Sequence, residues 1–98
     1  MIIHQREIRY TKNYEEFFET LSKMKTLLEK KFPEISVELM YNLSGERGRA
    51  TIQIRYPSLA DYEQIDAEAD RDEEYQKLID SILGDSGRLP VDQFYRTI

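Results

Sequence analysis

The chain has 98 residues, about one domain's worth, and its 40% apolar content is enough for one core. It has no cysteine, which excludes disulfides and thiolate chemistry, and no apolar run approaches the roughly 20 residues of a membrane helix. Its net charge of −5 repels phosphate backbones and argues against nucleic-acid binding. These features, with a charged start unlike a signal peptide, favour a cytoplasmic protein.

The first half of the chain predicts a strand followed by a long helix. Residues 2–10 alternate as a strand, although imperfectly. Residues 13–31 carry aromatic and aliphatic side chains at helical spacing, with Asn13 as N-cap and Glu16 three positions later. Pro33 ends this helix because it lacks a backbone donor and disfavours helical geometry in the residue before it.

A hairpin is predicted next, from strands over residues 35–43 and 50–56, because apolar and polar residues alternate in both. One register that places apolar side chains together sets Leu39 opposite Ile54. The same register sets Glu38 opposite Arg55, a favourable cross-strand pair.

The last third predicts helical structure over residues 58–83 and a final strand over 91–97. Ser58 is the predicted N-cap, with Asp61 three residues later. Asp72 interrupts the apolar phase, so the segment is either one helix with an irregular turn or two helices that meet there.

The element order β-α-β-β-α-β predicts one domain, residues 1–98, of the α+β ferredoxin-like class. Its helices would cover one face of a four-stranded antiparallel sheet, the simplest way to bury every apolar stripe. Leu39 and Ile54 should then pack against Phe17 and Leu21. The other sheet face would be mostly polar.

Four segments of the chain are distinctive together: Glu7-Ile8-Arg9-Tyr10, the aromatic helix with Phe17 and Phe18, Tyr56-Pro57-Ser58-Leu59-Ala60-Asp61, and Asp72-Glu73-Glu74-Tyr75-Gln76-Lys77-Leu78. With them the chain resembles the dimeric α/β-barrel superfamily, which includes NIPSNAP-like proteins, antibiotic-biosynthesis monooxygenases and stress-responsive barrels. The resemblance covers nearly the whole chain.

The resemblance implies a homodimer in which two sheets face each other, with a pocket between each sheet and its own helices. Some members oxidise or isomerise small aromatic compounds without metal or flavin, others bind haem, and no catalytic signature is shared. Because the sheet face is predominantly polar, the contact between the two sheets of a dimer would contain water. The alternative is a monomer in which this sheet face is exposed to solvent.

His4 and Arg6 are the catalytic candidates. His4 is the only histidine, and such a side chain can act as a general base toward a phenol or an activated carbon acid. Arg6 would stabilise the resulting anion. The simpler interpretation of His4 is a strand-edge residue without a special role.

Tyrosines are the ligand-binding candidates, because the chain has seven of them. Tyr10, Tyr41 and Tyr56 would end strands on the helix-facing side, and Tyr62 and Tyr75 would come from the second helical segment. Aromatic walls with inward hydroxyl groups suit a flat, partly polar ligand. The alternative is amphipathic core packing with hydroxyls at the rim.

No metal site and no cofactor is predicted. Acidic residues 66, 68, 70 and 72 resemble the start of a calcium loop, but Arg71 and Lys77 stand where that loop needs glycine and glutamate. A solvated helix face explains them better.

The leading functional hypothesis is a small dimeric protein that binds an aromatic-like molecule, with a cofactor-independent oxygenase or isomerase as its enzymatic form. The alternative is a non-catalytic protein-interaction module that uses the acidic segment 58–85, which holds ten acidic and two basic residues. Single-stranded RNA binding is disfavoured, because Gln53 and Arg55 occupy positions where stacking aromatics belong.

Overall fold

The computed structural model describes residues 1–9, 14–41, 48–86 and 91–98, with side chains described up to residue 82 in the third of these ranges. In these ranges it has four strands and three helices. They are β1 (Ile2–Arg9), α1 (Tyr14–Lys31), β2 (Ser36–Tyr41), β3 (Arg49–Tyr56), α2 (Leu59–Asp70), α3 (Glu73–Ser86) and β4 (Val91–Arg96). The predicted N-cap Asn13, the strand-end residue Tyr10 and loop residues 42–47 lie outside the described residues.

The strands form one antiparallel sheet in the order β2-β3-β1-β4, which confirms the predicted ferredoxin-like class. The predicted register of the hairpin is wrong by two residues. Ile54 pairs with Val37 rather than Leu39, and Glu38 lies opposite Gln53 rather than Arg55. A shift of two leaves every side chain on the same face, because strand side chains alternate with a period of two, so the pattern alone could not separate the two registers.

The core lies between the helices and one face of the sheet, which we call the inner face. Leu39 and Ile54 belong to the same apolar cluster as Phe17 and Leu21, as predicted. The largest side chains with almost no exposed surface are Phe17, Ile8, Leu21, Met24 and Ile82. The opposite side of the sheet, the outer face, carries Gln5, Glu7, Met40, Thr51, Gln53 and Gln93 by the same alternation.

Residues 58–86 form two helices, which decides between the two predicted alternatives. Ser58 is the N-cap of α2, as predicted, and its hydroxyl accepts from the backbone N–H of Asp61 at 3.2 Å. At the junction, the Asp72 carboxylate accepts from the backbone N–H of Tyr75 at 2.8 Å and also pairs with Lys31. Asp72 therefore starts α3 and ties it to the end of α1.

In the described part of the chain, no helix combines the length and the apolar character needed to cross a membrane.

Candidate active site between the sheet and the helices

A cavity of ≈ 120 Å³ lies between the inner face and the helices. It occurs where β1 departs from an apolar pattern, since its inward positions read Ile2, His4, Arg6 and Ile8. Two ionisable residues thus replace core residues in the middle of the strand. The lining is completed by Met24, Leu28, Ile52, Ile54, Tyr56, Ile65, Asp66, Ala69, Asp70, Tyr75, Gln76 and Ile79.

Asp92 of β4 holds both ionisable residues of β1. Arg6 and Asp92 are direct cross-strand partners, and Arg6 Nε donates to Asp92 Oδ1 at 2.6 Å while Nη2 donates to Oδ2 at 3.2 Å. His4 Nε2 lies 2.9 Å from Asp92 Oδ1. Burial raises the pKa of Asp92, but the hydrogen bonds from Arg6 and His4 outweigh it and lower the pKa below the ordinary value. Asp92 is therefore a carboxylate at neutral pH.

This arrangement selects one tautomer of His4. An ionised carboxylate can only accept hydrogen bonds, so neutral His4 carries its proton on Nε2. Its Nδ1 is then the basic nitrogen, and it has no hydrogen-bond partner among the described residues. The same logic orients the histidine of a carboxylate–histidine pair in hydrolytic enzymes.

Aromatic rings fix the plane of the imidazole. His4 stacks on Phe94 with ring centroids 4.3 Å apart and an interplanar angle of 9°. Tyr62 meets Phe94 at 5.1 Å and Tyr56 at 5.2 Å, both nearly edge to face. The stacked Phe94 and the Tyr62 ring, which lies edge-on to His4 at 6.3 Å, hold the imidazole in one position, as a general base requires.

The phenols around the cavity remain neutral. Burial, and then the nearby Tyr75, raises the pKa of Tyr56 well above its usual range. Burial likewise raises the pKa of Tyr75, although Arg6 opposes the shift. Tyr56 is 5% exposed, and its hydroxyl makes no hydrogen bond within the described ranges. A ligand in the cavity therefore meets a buried phenol able to donate or accept.

The structure brings together some of the predicted site residues and separates others. His4, Arg6 and Tyr56 line the cavity, and Tyr62 packs against Tyr56 beside it. Tyr41 lies elsewhere: it is 55% exposed on the edge strand β2 and meets Phe18 with ring centroids 5.9 Å apart. Tyr10 is outside the described residues.

Asp92 and Asp66 were not predicted as site residues. Asp92 could have been found only from the β1–β4 register, because 86 positions separate it from Arg6. Asp66 is exposed on α2, in agreement with the predicted solvated helix face, and it also lines the cavity. The described side chains contain no group of three or more residues placed to hold a metal ion.

No protein-family model and no curated protein matches the chain. Solved structures do match. An uncharacterized NIPSNAP domain protein from Burkholderia xenovorans superposes with a TM-score of 0.81 over 100% of this chain and 95% of that chain, at 13% identity. An antibiotic biosynthesis monooxygenase gives 0.70 over 100% and 99%, at 15% identity. A cofactor-independent oxygenase from Streptomyces nogalater gives 0.76 over 98% and 91%, at 7% identity. The chain therefore has the ferredoxin-like fold of the NIPSNAP and antibiotic biosynthesis monooxygenase structures.

Proposed function

We propose that this protein binds a small aromatic molecule in the inner-face cavity and that His4 acts on it as a general base. The observation that carries the proposal is the His4–Asp92–Arg6 cluster, of which His4 and Arg6 line the cavity beside apolar side chains of β3 and the helices. Even paired ionisable groups in a core often stabilise a protein less than apolar side chains of similar volume, so their position in the middle of a core strand favours a functional role.

The cavity volume limits the ligand to one ring. A cavity of about 150 Å³ is enough for benzene, whereas drug-sized ligands occupy about 300–1,000 Å³. At ≈ 120 Å³ the cavity is close to the first value and far below the second. Apolar walls from Ile52, Ile54 and Ile65 suit the faces of such a ring, and the Tyr56 hydroxyl suits a polar substituent.

The chemistry that the cluster supports is proton abstraction. His4 Nδ1 would accept the proton of a phenol or an activated carbon acid, while Asp92 stabilises the imidazolium that forms. Arg6 donates two of its five N–H groups to Asp92, so three N–H groups remain to donate to the anion of the ligand. Anion formation suits a cofactor-independent oxygenase or isomerase, and a structural neighbour is described as such an oxygenase.

Filling the cavity tests the proposal. Ala69 of α2 is 6% exposed and lines the cavity, so Ala69→Leu would place an isopropyl group in the ligand space. Binding of phenol, catechol and hydroquinone by the wild type is expected in saturation-transfer NMR. Ala69→Leu should reduce that binding at least 10-fold, and any oxygen uptake with these compounds should fall in parallel.

Ala67→Leu is the matched control, because Ala67 lies on the same helix and is exposed. It should bind like the wild type. Circular dichroism checks that both variants fold, and Ala69→Val provides a milder filling if leucine overpacks the site. Undiminished binding by a folded Ala69→Leu protein would refute the cavity as the site.

We also propose that two copies pair through the outer face. Four strands spaced about 4.8 Å apart, with up to eight residues at about 3.3 Å each, give a face of roughly 500 Å² per copy. Two such faces bury about 1,000 Å², the lower limit for a specific interface. Val91 and Tyr95 are 59% and 47% exposed there and supply apolar contacts among the amides.

An arginine in the middle of the outer face should separate the copies. Thr51 lies on the central strand β3, opposite Glu7 and Met40. Thr51→Arg is expected to weaken dimerisation at least 10-fold in sedimentation equilibrium, because each copy would bury an added bulky, charged side chain in the contact. Thr26→Arg on α1, away from the sheet, is the control and should leave dimerisation unchanged. A wild type that remains monomeric at 100 μM or above would contradict the proposal.

A further inference from the structure

Negatively charged side chains around the cavity outnumber positively charged ones. Within the described chain Arg6 is the one basic residue with a permanent charge in the lining, and Asp92 opposes that charge at 2.6 Å. Asp66 and Asp70 line the same cavity, and neither forms an ion pair with another described residue. The two carboxylates therefore give the site an excess of negative charge.

Asp66 and Asp70 stand together at the solvent side of the cavity. They are four residues apart on α2, so they lie on one face of that helix, and both are exposed. Burial and then the charge of Asp70 raise the pKa of Asp66, and together they outweigh the opposing effects of His4 and Arg6. A ligand cation at this position would relieve the repulsion between them.

Tyr56 gives an independent indication of a ligand. Its side chain is more than nine-tenths buried, lines the cavity, and has a hydroxyl without a hydrogen-bond partner among the described residues. Tyr75 lines the cavity as well. The electron-rich faces of tyrosine rings attract cations. The interior thus accepts a ring, and its rim accepts a positive group.

We infer that the cavity takes single-ring aromatic amines, with the ring among the apolar side chains and the ammonium group beside Asp66 and Asp70. This inference rests on the proposed function, because it assumes that a ring binds in the cavity. It adds the charge of the ligand that enters the cavity: a ring with a positive group is favoured over a benzoate, because Asp66, Asp70 and Asp92 outnumber Arg6, whereas the anion that Arg6 stabilises forms only after a neutral hydroxyl has bound.

Three compounds of nearly equal shape test the inference on the full chain. Benzylamine, benzyl alcohol and benzoate carry a positive, a zero and a negative charge at pH 7. Titration calorimetry at low salt should show that benzylamine binds about 5-fold more tightly than benzyl alcohol, the size expected for an exposed ion pair with a cation–π contribution. Benzoate should bind more weakly than either.

Asp66→Asn should remove most of the preference for benzylamine over benzyl alcohol. Glu63→Gln on the same helix removes an equal charge that does not line the cavity, and it should keep the preference. If the alcohol or benzoate binds as tightly as the amine, the inference about charge is overturned while ring binding stands. If none of the three binds, the proposed function fails as well.

Discussion

Replacing Phe17 with alanine is expected to lower the free energy of unfolding by about 4 kcal/mol, the cost of removing a fully buried aromatic side chain and leaving a cavity. Phe17 is 1% exposed and packs with the apolar cluster that joins α1 to the inner face. A chain of 98 residues has a total stability on the order of 5–15 kcal/mol. The substitution would therefore remove a large part of that stability. Urea denaturation followed by circular dichroism measures the loss.

Phe18→Ala is the matched control, since it removes the same side chain at the next position. Phe18 is only partly buried, and its ring meets those of Tyr14 at 4.8 Å and Tyr41 at 5.9 Å near the protein surface. Its loss should cost about 2 kcal/mol, clearly less than the loss of Phe17, because a partly buried ring with several aromatic contacts is removed. Equal losses for the two variants would show that α1 does not present Phe17 to the sheet as the structure has it.

The faces of the elements could be predicted because apolar periodicity is a local property. Phe17 and Leu21 repeat at helical spacing, whereas Ile52 and Ile54 alternate, and each pattern identifies the side that must be buried. The register between β2 and β3 could not be predicted in the same way. Registers that differ by two residues bury the same side chains, and the Glu38–Arg55 pair that favoured the wrong register is an exposed pair of small energy.

The part of the site on β1 was predictable, because ionisable residues stand there at positions where a core strand normally has apolar ones. His4 and Arg6 are ionisable residues at inward positions of β1, and that mismatch is visible in the sequence. Their partner Asp92 is not visible, because the β1–β4 register depends on how the sheet closes. Tyr41 and Tyr56 carry the same strand-end signature, but Tyr41 is on an edge strand and Tyr56 on a central one, so only the topology separates them.

The contact between Arg6 and Asp92 should stabilise the folded protein by about 1.5 kcal/mol at neutral pH, the lower end for a hydrogen bond between charged groups because both side chains are about a third exposed or less. A double-mutant cycle of Arg6→Met, Asp92→Asn and the double variant isolates this coupling from the other effects of each substitution. Urea denaturation of the four proteins at pH 7 gives its value.

The coupling should disappear in acid. Although burial raises the pKa of Asp92, its hydrogen bonds lower the pKa in the folded state below the ordinary 3.8. The unfolded chain therefore takes up this proton first as the pH falls, and the stabilisation is fully present above pH 3.8 and lost below it. In Arg6→Met the pKa of Asp92, followed by carbon NMR of its carboxyl, should rise because the first of its lowering contacts is gone. A coupling energy that stays constant from pH 7 to pH 2.5 would mean that the pair is not an ion pair in solution, and His4 would then lack the fixed carboxylate that sets its tautomer.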